Sequence, residues 1–118
     1  MARMSIRIDL GPERRLGPGK VLLLERIAEH GSISAAGRSL KMSYKRAWDL
    51  VAELNATFAS PLVEAQLGGR HGGGARLTEL GKTLVAHYRA IEREAEAASR
   101  AHLDALDAAL LHVPEQPS

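Results

Sequence analysis

The chain has 118 residues, of which 45% are apolar, 3% aromatic and 25% charged, with no cysteine and a formal net charge of +2 at pH 7. That length fits a single domain of roughly 100 to 150 residues, with a core of Leu, Ile, Val and Ala that suits helices. The lack of cysteine excludes a disulfide framework and thiolate metal or redox sites, and no apolar run approaches the roughly 20 residues that span a bilayer.

Met4, Ile6, Ile8 and Leu10 alternate with Ser5, Arg7 and Asp9, the period of a half-buried strand rather than a signal-peptide core. Gly11 and Pro12 stop it. The expected location is cytoplasmic, without membrane contact. After the Gly- and Pro-punctuated residues 16–19, residues 20–30 read as a first helix, with Leu23, Leu24, Ile27 and Ala28 inward and Gly31 as its terminator. Gly19-Lys20 does not make a phosphate-binding loop, because Val21 stands where Ser or Thr is needed and Arg14 where the first Gly is needed.

Residues 32–55 hold two short helical patterns that meet across Lys41 and Met42. Ala35, Ala36 and Leu40 form one apolar face over a second helix at 35–40, capped by Ser32 or Ser34. Ala47, Val51, Leu54 and Phe58 form another, at the three-and-four spacing of a buried stripe, over a third helix from about 44 to 59. This is a helix-turn-helix pattern. Ser43 stands where its hydroxyl can cap the third helix. Pro61 ends that helix; residues 62–66 read as a strand, 68–74 as a glycine-rich basic loop, and 75–77 as a returning strand. A hairpin directly after a helix-turn-helix is a wing, and Arg70 and His71 fall at its tip; a loop with no partner is the alternative.

Thr78 caps a last helix with Glu79 in its first turn. It runs about 30 residues, against an ordinary length of about 11 to 12. Leu84, Tyr88, Ile91, Ala95, Ala98, His102, Ala105 and Ala109 recur at steps of four and three, with Leu103, Leu106 and Leu110 beside them, a heptad seam that asks for a second chain. The expected dimerisation residues are Leu84, Tyr88, Ile91, Leu103, Leu106 and Leu110; a helix frayed after about Ala98 is the alternative. The expected architecture is mainly α with a small β-sheet. A winged helix-turn-helix occupies 1–78 (wing about 62–77), a long dimerisation helix 78–112 and a disordered tail 113–118.

Charge is unevenly placed. Residues 1–91 carry 14 Lys and Arg against 8 Asp and Glu, and residues 92–118 carry 2 against 6. A basic body fits a surface that meets phosphates. No enzyme is expected. The five histidines lack metal-ligand spacing, no nucleophile elbow is present, and Glu92, Glu94 and Glu96 read as a solvated face. No metal and no cofactor follow. Double-stranded DNA is the expected partner, met by Lys45 at guanine acceptors and by Arg46 at a base or a phosphate. Tyr44 stacks or bonds a phosphate, Ser32, Ser34, Lys41 and Ser43 support it, and Arg70 and His71 come from the wing. Trp48, at the edge of the stripe, reads as packing or as a DNA contact.

The run from Gly31 to Asn55 and the run from Pro61 to Gly81 together resemble the N-terminal DNA-binding domain of the molybdate-responsive regulators of the ModE type, and more remotely the winged helix-turn-helix of LysR-type regulators. The likeness covers about residues 17–91. It rests on Ser43-Tyr44-Lys45-x-Ala47-Trp48-Asp49, on Gly68-Gly69-x-x-Gly72-Gly73-Gly74-Ala75 and on Leu77-Thr78-x-x-Gly81. It implies a dimeric bacterial transcription regulator, with the third helix in a major groove and the last helix joining subunits, acting on molybdenum or related metal-oxyanion genes. No Ser-Ala-Arg-Asn type segment of the molybdate-binding domains is present, so molybdate binding by this chain is not expected. A winged-helix protein-interaction module that does not read DNA is the alternative function.

Overall fold

The computed structural model describes residues 1–66 and 73–111. In chain order the elements are β1 (Ile8–Gly11), β2 (Arg14–Leu16), α1 (Pro18–His30), α2 (Ile33–Ser39), α3 (Tyr44–Thr57), β3 (Val63–Gln66), β4 (Gly74–Leu77) and α4 (Glu79–Ala109). The fold is mainly helical, with two separate two-stranded antiparallel sheets, a helix-turn-helix and a long C-terminal helix. No helix of the described residues is long and apolar enough to cross a membrane. The expected tail, 113–118, lies outside the described residues, as does the wing tip with Arg70 and His71.

The strand expected from Met4 is shorter and begins at Ile8, and its partner β2 takes in residues 14–15, for which no element is expected, and Leu16 of the punctuated stretch. Gly11, at φ 130°, occupies a backbone region that side chains rarely adopt, and Glu13 follows in the left-handed region at φ 58°. Together they reverse the chain, pairing Ile8 with Leu16 and Asp9 with Arg15 across a bulge. In α1, Pro18 stands in the first turn and Gly31 closes the helix at φ 68°. Leu23, Leu24 and Ile27 are buried as expected, but Ala28 faces solvent and Val21 is buried in its stead.

The helix-turn-helix is built on close approach. A Cβ placed on Gly37 of α2 would lie 2.8 Å from the Ala47 Cβ of α3, so the two helices cross where neither has a side chain beyond one carbon. Ser32 accepts a bond from the Ala35 N–H at 3.1 Å, and Ser43 one from the Arg46 N–H at 3.1 Å, capping α2 and α3. The turn between them passes through Lys41 at φ 58°, held by Lys41 N–H to Arg38 O at 3.0 Å and Met42 N–H to Gly37 O at 2.9 Å.

The wing is tied to this unit at three points. The Ala75 N–H donates to Gly31 O at 2.9 Å. Asn55 of α3 accepts from Leu62 N–H and Val63 N–H and donates to Val63 O, satisfying the backbone at the root of β3. Thr78 accepts from Gly81 N–H, donates to Pro61 O, and so caps α4 while holding the loop before β3. Gly81 then passes over the Leu62 carbonyl, where any Cβ would overlap it.

Helix α4 spans 31 residues, about 46 Å at 1.5 Å per residue. Its first turns pack on the core through Leu80, Leu84, Val85 and Tyr88. Arg89 is held by Glu25 of α1 and by Glu92. Tyr88 is buried, and its O–H donates to Ile6 O at 2.6 Å. Burial pushes the phenol above its ordinary pKa, Glu92 pushes the same way and Arg89 opposes, so it remains a donor at neutral pH. Further along, Arg100 donates to Ala2 O and the Ala2 N–H donates to Asp107 at 2.6 Å, which lays the N-terminal residues along α4.

The α2–α3 crossing yields a stability test. Gly37→Ala forces the helices apart and is expected to lower unfolding stability by about 1–3 kcal/mol. Urea denaturation measures it, and an unchanged midpoint would contradict the close approach.

Candidate nucleic-acid interface

One side of α3 is buried through Ala47, Leu50, Val51 and Leu54, which fixes what the other side presents. Tyr44 and Trp48 are 67% and 45% exposed, with ring centroids 5.9 Å apart and planes tilted by 51°. Lys45 and Asp49, one turn apart, are joined by a 2.7 Å bond from Nζ to Oδ2. Both are well exposed, so the pair orders the lysine with little net stabilisation, roughly 0.3–0.5 kcal/mol for such helix pairs. Lys41, Ser43 and Arg46 are also exposed around the start of α3.

Ser32, Ser34, Tyr44, Lys45 and Arg46 of the expected DNA-contacting residues fall into three groups. Ser32, Ser34, Tyr44 and Trp48 line one cleft of about 300 Å3 between the start of α2, α3 and β4. The Ser32 oxygen is used in its cap, but its O–H remains able to donate to an anion. Lys45 sits on the outward face of α3. Arg46 points to the other flank, where it lines a second cleft with Met42 and Leu50. Arg70 and His71 lie outside the described residues.

Two features go beyond the expectations from sequence. Trp48, which the sequence reads either as packing or as a DNA contact, borders the core and yet shows nearly half its surface, beside Tyr44. Asp49 is not among the expected contacts, although its four-residue spacing from Lys45 is the signal for an ion pair.

The expected seam residues divide in the same way. Tyr88 and Leu103 are buried within this chain and Leu84 is half-buried against its core. Ile91, Leu106 and Leu110 are 39%, 62% and 69% exposed. Among the described residues no group of three or more His, Asp or Glu side chains is placed to hold a metal ion.

Residues 20–82, which run from within α1 through α2, α3 and the wing to the first turn of α4, match the family of bacterial regulatory helix-turn-helix proteins, lysR family. The chain is 43% identical over 98 residues to the molybdenum transport protein ModE of Azotobacter vinelandii, covering 83% of this chain and 36% of that one. It is 44% identical over 87 residues to the DNA-binding transcriptional dual regulator ModE of Escherichia coli K12, covering 74% and 33%. Over 78 residues it is 51% identical to the molybdenum-pterin-binding protein MopA of Rhodobacter capsulatus, covering 66% and 29%. The chain thus spans about a third of the length of these relatives. The family is one of transcription regulators, not enzymes. A helix-turn-helix held rigid by capped helices, with a basic and aromatic outer face and this match behind it, is a DNA-binding domain related to the ModE regulators, and the chain belongs to the LysR family of bacterial regulatory helix-turn-helix proteins.

Proposed function

We propose that the protein works in the cytoplasm as a homodimer on double-stranded DNA, with α3 in the major groove, to regulate transcription of molybdenum or related metal-oxyanion genes. The observation that carries the DNA reading is the outer face of α3. Its buried stripe turns Lys45 outward, with Tyr44 and Trp48 on one edge and Arg46 on the other. Lys45 bonds the guanine O6 and N7 acceptors, Arg46 meets a base or a phosphate, and an exposed aromatic ring packs on the thymine methyl. The hydroxyls of Ser32, Ser34 and Ser43 at the two helix starts bond phosphate oxygens, which set the register. Lys41 adds charge in the turn, and Arg70 and His71 extend the contact from the wing.

The dimer rests on α4. Its first three turns belong to the body, yet it continues well past Arg89 with Ile91, Leu106 and Leu110 exposed. An apolar helix surface of this kind is stable in water when a second helix covers it. The molybdenum link rests on the relatives, two of which have molybdenum in their names. This chain reads DNA and does not itself bind molybdate.

Two experiments test it. Lys45→Ala and Trp48→Ala should each cost about 1–3 kcal/mol in binding to the selected operator and relax its sequence preference. Fluorescence anisotropy on operator and scrambled duplexes measures both. If neither substitution affects discrimination, α3 is not the reading element, and a protein-interaction role gains. Ile91→Asp with Leu106→Asp leaves the core untouched and should convert a dimer to a monomer in sedimentation velocity. Selected sites should be inverted repeats with half-sites about 34–36 Å apart or a multiple of that; wild-type protein sedimenting as a monomer at micromolar concentration would remove the dimer.

A further inference from the structure

The flank of α3 away from the wing opens on a cleft of about 340 Å3 that brings together Arg7 and Arg15 of the N-terminal segment, Lys20 of α1 and Arg46 of α3. Among the described residues no acidic side chain is part of its lining. Two carboxylates reach its cations from outside. Glu53 accepts from Lys20 at 2.7 Å, and Lys20 also donates to Arg15 O at 2.9 Å, so this lysine is committed to holding hairpin, α1 and α3 together. Asp9 lies 3.4 Å from the Arg15 Nε, with both side chains more than half exposed, a pairing of roughly 0–1 kcal/mol that another anion can displace. Arg7 and Arg46 make no ion pair among the described residues.

A helix in a major groove has two phosphate walls. The groove is about 12 Å wide and a helix with its side chains is about 10–12 Å across, so both strands lie within reach of the flanks of α3. On the wing side the chain offers serine hydroxyls and a helix start. On the other side it offers three guanidinium groups, the planar forks that bond phosphate oxygens two at a time. We infer that the cleft formed by Arg7, Arg15 and Arg46 is a second phosphate clamp, which grips the DNA strand bordering the major groove on the side opposite the wing. This rests on the placement of α3 in that groove. It gives the N-terminal hairpin a task in binding: the bulged turn at Gly11 and the Lys20 bonds carry Arg7 and Arg15 to the flank of the recognition helix. The contact is with backbone alone, so the clamp adds affinity and register without sequence preference.

The test is the salt dependence of binding by the full chain carrying Arg7→Gln and Arg15→Gln. The slope of log affinity against log salt should become shallower by about 2, one for each phosphate no longer neutralised, with equal weakening on operator and scrambled duplex. Arg7→Gln alone removes a residue with no ion pair in the hairpin and should make the slope shallower by about 1. Arg7→Lys with Arg15→Lys should restore it, and circular dichroism confirms that each variant is folded. Wild-type binding with an unchanged slope in the glutamine variants would overturn the clamp and leave the reading of DNA by α3 standing. Failure of the wild type to bind any duplex at low salt would overturn that reading instead. Saturable binding of inorganic phosphate at micromolar concentration, abolished in the glutamine variants whose DNA slope is unchanged, would assign the cleft to a free anion and also overturn the clamp.

Discussion

The near contact of Gly37 with Ala47 is the constraint on which the outer surface of α3 depends. A side chain on α2 at this point would push α3 outward or roll it about its axis. With the crossing fixed, Ala47, Leu50, Val51 and Leu54 have one way to be buried, and Lys45, Trp48 and Arg46 are distributed over the outer face as a consequence. The turn between the helices shares in this. Lys41 occupies the left-handed region, which is uncommon for a residue with a side chain, and the bonds of Lys41 and Met42 back to α2 hold it there.

Around that unit the chain spends its polar side chains on joints. Asn55 makes three bonds to the start of β3, Thr78 fastens the loop before β3 to the start of α4, and Arg89 ties α4 to α1. Each joint satisfies backbone groups or charges that would otherwise be stranded, and together they fix β3, β4 and α4 relative to the three helices of the body. The same economy runs along α4, where the N-terminal residues meet Tyr88, Arg100 and Asp107. One end of that N-terminal stretch lies on α4, and the other supplies the arginines beside α3.

Much of this is legible in the sequence because the buried stripes are strictly periodic. The three-and-four spacing of Ala47, Val51 and Leu54 sets the face of α3, and Ser43 and Thr78 mark helix starts by the chemistry of capping. Three things are not legible. The N-terminal hairpin escapes because β2 has three residues, too few to display a period, and its reversal depends on backbone angles at Gly11 and Glu13. The bonds of Tyr88, Arg100 and Asp107 depend on residues 2–6 returning to α4 from nearly the other end of the chain. The basic cleft joins residues 7, 15, 20 and 46, which no local pattern connects. Sequence patterns resolve what lies within one element and fail where distant segments share a surface.

Trp48 is the single tryptophan of the chain, and it stands 45% exposed on the edge of α3. Its fluorescence therefore reports on α3 without a label. If α3 enters the major groove, saturating the protein with operator duplex should shift and quench this emission and sharply reduce its quenching by added acrylamide. Acrylamide accessibility that stays the same while anisotropy records full DNA binding would contradict the placement of α3 against the bases.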